Sequence, residues 1–204
     1  MKYRIYIILA CIFLFFGCPY ENIGEQKSPE IILGELPLKI GTFVAKDEIH
    51  TYESKELGAS QIFIATYPFI LADVYIFDLG YPIIPDGIES DIIEQAYRQA
   101  QADIMDDKSK GNIANCTKLS DQSTDIVLDN NKVVRLLSSF FSFDLVDDDG
   151  LIKEKIYSDL YLVGKRNHLI KVRVTYPNWK KELSKSQIYE LLKKIFSIYD
   201  KKIP

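Results

Sequence analysis

Between Leu71 and Leu79 the chain reads LADVYIFDL, and this stretch restricts the fold more than any other. Ala72, Val74 and Ile76 alternate with Asp73, Tyr75 and Phe77, so a strand here carries apolar surface on both faces. Such a strand belongs inside a sheet, not at its edge. Similar runs follow. Gln61–Tyr67, Ile113–Leu119, Asp125–Leu128, Lys132–Leu145, Leu151–Val163 and Leu169–Tyr176 are all rich in β-branched and aromatic residues. Gly58, Pro68, Asn130-Asn131, Asp147-Asp148-Asp149-Gly150 and Lys165-Arg166-Asn167 punctuate them as turns. Ile40–Tyr52 is also strand-like, interrupted at Ala45–Glu48.

Two stretches carry the helical period instead. After the Tyr81–Gly87 loop, Ser90 is an N-cap residue, with Asp91 and Glu94 where the helix dipole favours negative charge. Ile92, Ile93, Ala96, Tyr97, Ala100 and Ile104 form one apolar stripe, opposite Gln95, Arg98, Gln99 and Gln101, which predicts a helix over 90–108. Ser184 with Gln187 makes a capping box, and Ile188, Leu191, Leu192, Ile195 and Tyr199 predict a second helix over 184–199. The expected fold is therefore α+β: a mainly antiparallel β-sheet with both amphipathic helices packed on one face. The other face would remain for solvent or a partner.

The last hairpin permits a register argument. If Ile156, Leu160 and Leu162 share a face with Ile170, Val172 and Val174, the loop must have odd length, and Lys165–Asn167 supplies three residues. Leu162 then pairs with Ile170 and Leu160 with Val172. On the reverse side Tyr157, Asp159, Tyr161, Lys171 and Arg173 come together as a polar, aromatic candidate binding face, with Asp159 opposite Arg173. Loss of Asp159 alone is expected to cost little, because a half-exposed ion pair is weak.

The first eighteen residues, MKYRIYIILACIFLFFGC, place a basic start before a short apolar run, the order of a secretory signal peptide. Ile5–Phe16 as a helix would rise only ~18 Å, short of a hydrocarbon core of ~30 Å. Leu14-Phe15-Phe16-Gly17-Cys18 resembles a bacterial lipobox, which implies acylation of Cys18 and a membrane partner through that anchor. Gly17 fits that pattern, whereas Phe15 and Phe16 depart from it. Pro19, where inner-membrane lipoproteins commonly carry an aspartate, favours the periplasmic side of an outer membrane, or the cell surface. Residues 1–17 are thus read as signal, 18–37 as a Pro- and Gly-containing tether, and 38–204 as one domain.

Few function classes survive. Removing Lys2 and Arg4 takes the formal charge from −4 to −6, without the basic stripe that nucleic-acid binding requires. Cys11 leaves with the signal; with Cys18 acylated, Cys116 has no disulfide partner within the chain, whereas a free Cys18 would allow a Cys18–Cys116 bridge. With only His50 and His168 beside it, no four-ligand Cys/His zinc site can be assembled, and Asp144 with Asp147–Gly150 departs from the EF-hand pattern at Leu145 and Ile156. No nucleophile elbow, Walker loop or dinucleotide fingerprint occurs. Neither a cofactor nor an enzymatic activity is expected.

Tyr52-Glu53, Leu57-Gly58, Val74–Gly80, Ile84–Ile88, Ala102-Asp103-Ile104 and Lys171–Tyr176 fall in an order that resembles a group of uncharacterised bacterial exported proteins and lipoproteins, over roughly residues 38–177. The order of strands, helix, strands and closing helix is also similar to the small α+β sandwich of the PsbP/Mog1 type. No motif in the first resemblance is catalytic, and the second, by fold analogy, implies binding or accessory work, although fold does not fix function. The expected role is a protein-interaction module of the envelope. The alternatives are a small-ligand carrier with an enclosed apolar cavity, or an envelope hydrolase using His50 or Cys116.

Overall fold

Strand-forming residues from Lys39 to Pro177 pair into one nine-stranded antiparallel sheet. The computed structural model describes residues 27–67, 69–106, 113–147 and 151–200. Its strands are β1 (Lys39–Ile40), β2 (Phe43–Ala45), β3 (His50–Thr51), β4 (Ala59–Thr66), β5 (Phe69–Phe77), β6 (Ile113–Val127), β7 (Val133–Val146), β8 (Ile152–Lys165) and β9 (His168–Pro177). They lie in the order β1-β2-β4-β5-β9-β8-β7-β6, with β3 on β4. β5 pairs with both β4 and β9, so the stretch that is apolar on both faces does occupy an interior position. Among the described residues three α-helices accompany the sheet: α1 (Pro29–Gly34), α2 (Asp91–Asp106) and α3 (Lys181–Asp200). The fold is α+β, as expected.

The helices do not share a face, and here the structure corrects the expectation. Ile188, Leu191, Leu192, Ile195 and Phe196 of α3 pack with Val74, Leu136, Val163, Ile170, Val172 and Val174. Ile93, Ala96, Tyr97, Ala100 and Ile104 of α2 pack instead with Phe141, Phe143, Leu160, Leu162 and Leu169. Neighbouring strand residues point to opposite faces, so Leu162 and Val163, or Leu169 and Ile170, belong to different layers. One sheet therefore separates two cores. α3 and α1 close one, and α2 closes the other.

A second correction concerns register. Lys165 pairs with His168, Val163 with Ile170 and Leu162 with Lys171, one residue away from the expected pairing. The loop is Arg166-Asn167 alone, with φ of 48° and 63°. Positive φ at both central residues is the conformation of a two-residue type I′ hairpin, whose twist matches that of the strands. Asn tolerates it readily; Arg gives no such signal.

The folded unit also begins earlier than Leu38. Ile32, Leu33 and Leu36 are buried in the α3-side core, so residues 29–36 are helix and packing, not tether. Cys18 and residues 19–26 lie outside the described residues, as do Asp148, Asp149 and Gly150. α2 starts as anticipated: the Ser90 hydroxyl accepts the Ile93 N–H at 3.3 Å, and Glu94 N–H donates to the Ser90 carbonyl at 3.0 Å. α3 does not start at Ser184, which is buried within it. The helix begins at Lys181, after a 3-10 turn over Asn178–Lys180.

Candidate functional site

The one-residue shift divides the candidate binding face. Tyr157, Asp159 and Tyr161 of β8 stand on the α3 side, while Lys171 and Arg173 of β9 stand on the α2 side beside Leu160 and Leu162. Arg173 does meet an aspartate across a strand pair, but that residue is Asp73 of β5.

On the α3 side, Asp159 organises a tyrosine cluster. Its carboxylate accepts the Tyr161 hydroxyl at 3.2 Å and the Tyr176 hydroxyl at 3.2 and 3.3 Å. Burial holds the Tyr161 phenol well above its ordinary range, and the Asp159 charge adds to this. Tyr176 is raised by the same two causes in the same order. The Phe140 and Tyr157 rings lie 5.0 Å apart and those of Tyr157 and Tyr176 6.1 Å, within the range of aromatic pairs. A cavity of about 320 Å³ opens here, lined by Gln122, Thr124, Ser138, Phe140 and Asp159, with Lys185 of α3. This geometry revises the expected cost of losing Asp159. Asp159→Ala strands two tyrosine hydroxyls, one of them fully buried, and should destabilise by about 2 kcal/mol in a urea titration. Asp159→Asn, which keeps an acceptor, should cost less than half as much.

On the α2 side, Asp73 pairs in register with Arg173 and Tyr75 with Lys171. The Lys171 ammonium sits 4.1 Å from the centre of the Tyr75 ring and 5.9 Å from that of Phe77. Burial lowers the Lys171 pKa and raises that of Asp73; in Asp73, desolvation outweighs the attraction of Arg173 and Lys171. The core beneath α2 draws nothing from β4 and only Phe77 from β5. α2 thus covers the β6–β8 half of this face. Over β4, β5 and β9 the residues Ile62, Ile64, Leu71, Asp73, Tyr75 and Arg173 remain half-buried, and Val44 at the rim is exposed.

A third polar group lies in a cleft of about 690 Å³ between α2 and the β6–β7 hairpin. Tyr97 donates to Asp121 at 2.9 Å, Gln101 to Ser139 at 2.7 Å, and Lys118 to Asp121 at 2.7 Å. Each donor is matched to an acceptor inside the group, which ties α2 to the strands.

His50 and Cys116 do not meet. His50 is exposed on β3, edge-on to Tyr52, six strand steps from β6, or about 29 Å along the sheet. Cys116 is buried under α2, its sulphur 3.8 Å from the Ile104 carbonyl and 3.6 Å from the Met105 sulphur. His168 sits at the start of β9, at the opposite end of the strands from Cys116. Burial lowers its pKa, and Nδ1 lies 3.0 Å from the Arg166 carbonyl. Among the described residues no group of three or more His, Cys, Asp or Glu is placed to hold a metal ion.

Neither a family model nor a curated protein matches the chain. Among solved structures, the fold is similar to the solution structure of cyanobacterial PsbP (CyanoP) from Synechocystis sp. PCC 6803. The TM-score is 0.41 at 15% identity, over 77% of this chain and 80% of that one. A likeness of this degree carries nothing about family or function.

Sequence reasoning missed Asp73, Tyr75 and Tyr176. A charge at the centre of an otherwise apolar run, as Asp73 is, was the available signal for the first.

Proposed function

We propose that the protein is a bacterial envelope lipoprotein, anchored through Cys18, that acts by binding another envelope protein and performs no catalysis. The observation that supports this reading is the half-covered sheet face over β4, β5 and β9. Ile62, Ile64, Leu71 and Tyr75 supply apolar and aromatic surface there, with Arg173 and its cross-strand partner Asp73 among them; tyrosine and arginine are enriched at protein interfaces. Attachment through Cys18 rests on the lipobox-like Leu14–Cys18 stretch; among the described residues no helix is long and apolar enough to cross a membrane. Pro19 favours the periplasmic side of an outer membrane. The hydrolase reading needs His50 or Cys116 in an accessible pocket, and the exposure of His50 on β3 and the burial of Cys116 under α2 weigh against it.

The test is crosslinking of the full-length protein in native envelopes, with Cys18→Ser and Ile64→Glu forms in parallel. One specific partner should be captured by the unaltered chain, weakened at least several-fold by Ile64→Glu, and weakened when the anchor is lost. A partner retained by the Ile64→Glu form would place its binding surface elsewhere. No partner with any form would move the weight to the second reading, a small-ligand carrier. The cavity beside Asp159 favours that reading, although its hydroxyl-rich lining fits a polar ligand and not the apolar one expected from sequence.

A further inference from the structure

On the α3 side, the sheet face changes character along β6 and β7. Ile126, Val134 and Leu136 are buried in the core that α3 closes. Further along, the same face carries Thr124, Gln122 and Ser120 on β6 and Ser138 on β7, where a fully covered sheet would place apolar residues. The strand ladders set these groups in two rungs. Ser120, Phe140 and Asp159 are cross-strand partners in one, and Gln122, Ser138 and Tyr161 in the next. Residues paired in this way share a face, so both rungs open into the cavity of about 320 Å³ beside Asp159. Three strands span about 10 Å and two residues along a strand about 7 Å, which gives the floor the dimensions of one pyranose ring with its substituents.

The chemistry of this lining is divided. Toward β6 it offers hydroxyl and amide groups. Toward β8 and β9 it offers the rings of Phe140, Tyr161 and Tyr176 around the Asp159 carboxylate. The Thr124 and Ser138 hydroxyls lie 2.8 Å apart, and Ser138 donates to the Gln122 carbonyl at 3.3 Å, so this pair is fixed in place. The exposed Ser120 and Gln122 side chains make no hydrogen bond to another described residue and stay available to a ligand. Charge selects against ions. Of the described residues that line the cavity, Lys185 is the cation, and its ammonium already donates to Glu182 at 2.9 and 3.1 Å. A cationic ligand would meet that same ammonium. The fit is to a neutral ligand with an apolar face for the rings and a rim of hydroxyls.

We propose that this cavity binds a neutral pyranose, its C–H face on Phe140 and its hydroxyls on Gln122, Ser120 and Asp159. Each sugar hydroxyl both donates and accepts; an amide supplies both complements, and a carboxylate takes the donated hydrogen in a charge-assisted bond. The negative face of an aromatic ring attracts the C–H groups of the sugar. The site goes beyond the partner-binding reading and does not depend on it. The cavity and the half-covered face lie on opposite sides of the sheet, so one chain can hold a sugar and a protein at once.

The full-length protein, isolated in a detergent without a sugar headgroup, is titrated by calorimetry with glucose, galactose, mannose, N-acetylglucosamine and the β1,4-linked dimer of the last. One saturable site is expected, half-filled at about 1 mM or below. Gln122→Ala, altered only at an exposed position, should weaken it at least fivefold, and Asp159→Asn should do the same. Gln95→Asp, on the exposed side of α2, should leave it unchanged. A dimer bound tenfold more tightly than its monomer would identify a glycan chain as the source, and equal binding a free sugar; both support the site. A flat titration with every sugar overturns the proposal, as does binding that Gln122→Ala and Asp159→Asn both leave intact. Saturation by choline chloride and not by sugar would overturn the pyranose assignment in favour of a cation. The crosslinking test is independent of these results, so the interface reading stands or falls separately.

Discussion

Gly164→Ala should lower the melting temperature by roughly 6–12 °C, because the strand offers no room for a methyl group. A Cβ at this position would stand 2.2 Å from the Pro85 carbonyl oxygen and 2.7 Å from Ile93 Cδ1. The carbonyl cannot retreat easily. Gly87 and Gly164 exchange two backbone hydrogen bonds, of 2.8 and 2.9 Å. Asp86 accepts the Lys165 ammonium and the Arg166 N–H at 2.6 Å each, and Asn167 accepts the Ile84 N–H at 2.6 Å. The loop before α2 is thus pinned to β8 on both sides of the clash. Relieving it would displace the first turn of α2 through Ile93. Overpacking against fixed backbone costs about 3 kcal/mol, and each kcal/mol moves the midpoint of a domain this size by ~2–4 °C. A thermal melt followed by circular dichroism gives the answer. Gly41→Ala is the control: its added Cβ meets nothing within 4 Å, so only the strain of its φ of 57° remains. Equal melting of the Gly164→Ala form and the parent would mean that the loop is not seated on β8.

Ala100→Asp should cost at least about 3 kcal/mol. Ala100 is 6% exposed on the buried stripe of α2, within the core that contains Phe141, Leu160 and Leu162. A carboxylate there must enter an apolar layer without a partner or push the helix away from the sheet. Gln95→Asp, on the exposed side of the same helix, should stay within ~0.5 kcal/mol. Urea unfolding midpoints separate the two. Matching midpoints would show that α2 does not pack through this stripe.

The elements were legible in the sequence because each rests on a local pattern. The α2 stripe is buried at Ile93, Ala96, Tyr97, Ala100 and Ile104, all of which the helical period selects. The interior place of β5 followed from Asp73, Tyr75 and Phe77 alternating with small apolar residues. Pairing was harder. The register argument assumed that Leu160 and Leu162 must share a face with Val172 and Val174, which holds only when a sheet buries one side. This sheet buries both, so the leucines pack under α2 and the valines under α3, and apolar parity stops deciding the register. The remaining evidence lay in the turn, where Arg166 adopts a positive φ that its residue type does not advertise. The division of the candidate binding face follows from that one residue. The buried start at Ile32 and Leu33 was hidden for another reason: six helical residues between prolines are too few to show a period.

The position of β9 has a consequence for how the chain reaches its folded state. The strand made late in synthesis lies between β5 and β8, and it pairs Leu71 with Thr175 across about half of the chain. Until it arrives, β4–β5 and β6–β7–β8 are separate pieces, each with an unpaired edge. Contacts between segments so distant form slowly, since the intervening chain must close first. A polypeptide threaded through a translocation channel from its N-terminus would therefore keep its sheet open until residues 168–177 emerge. Interruption before that point would leave the β5 and β8 edges unpaired together, two adhesive edges exposed at once.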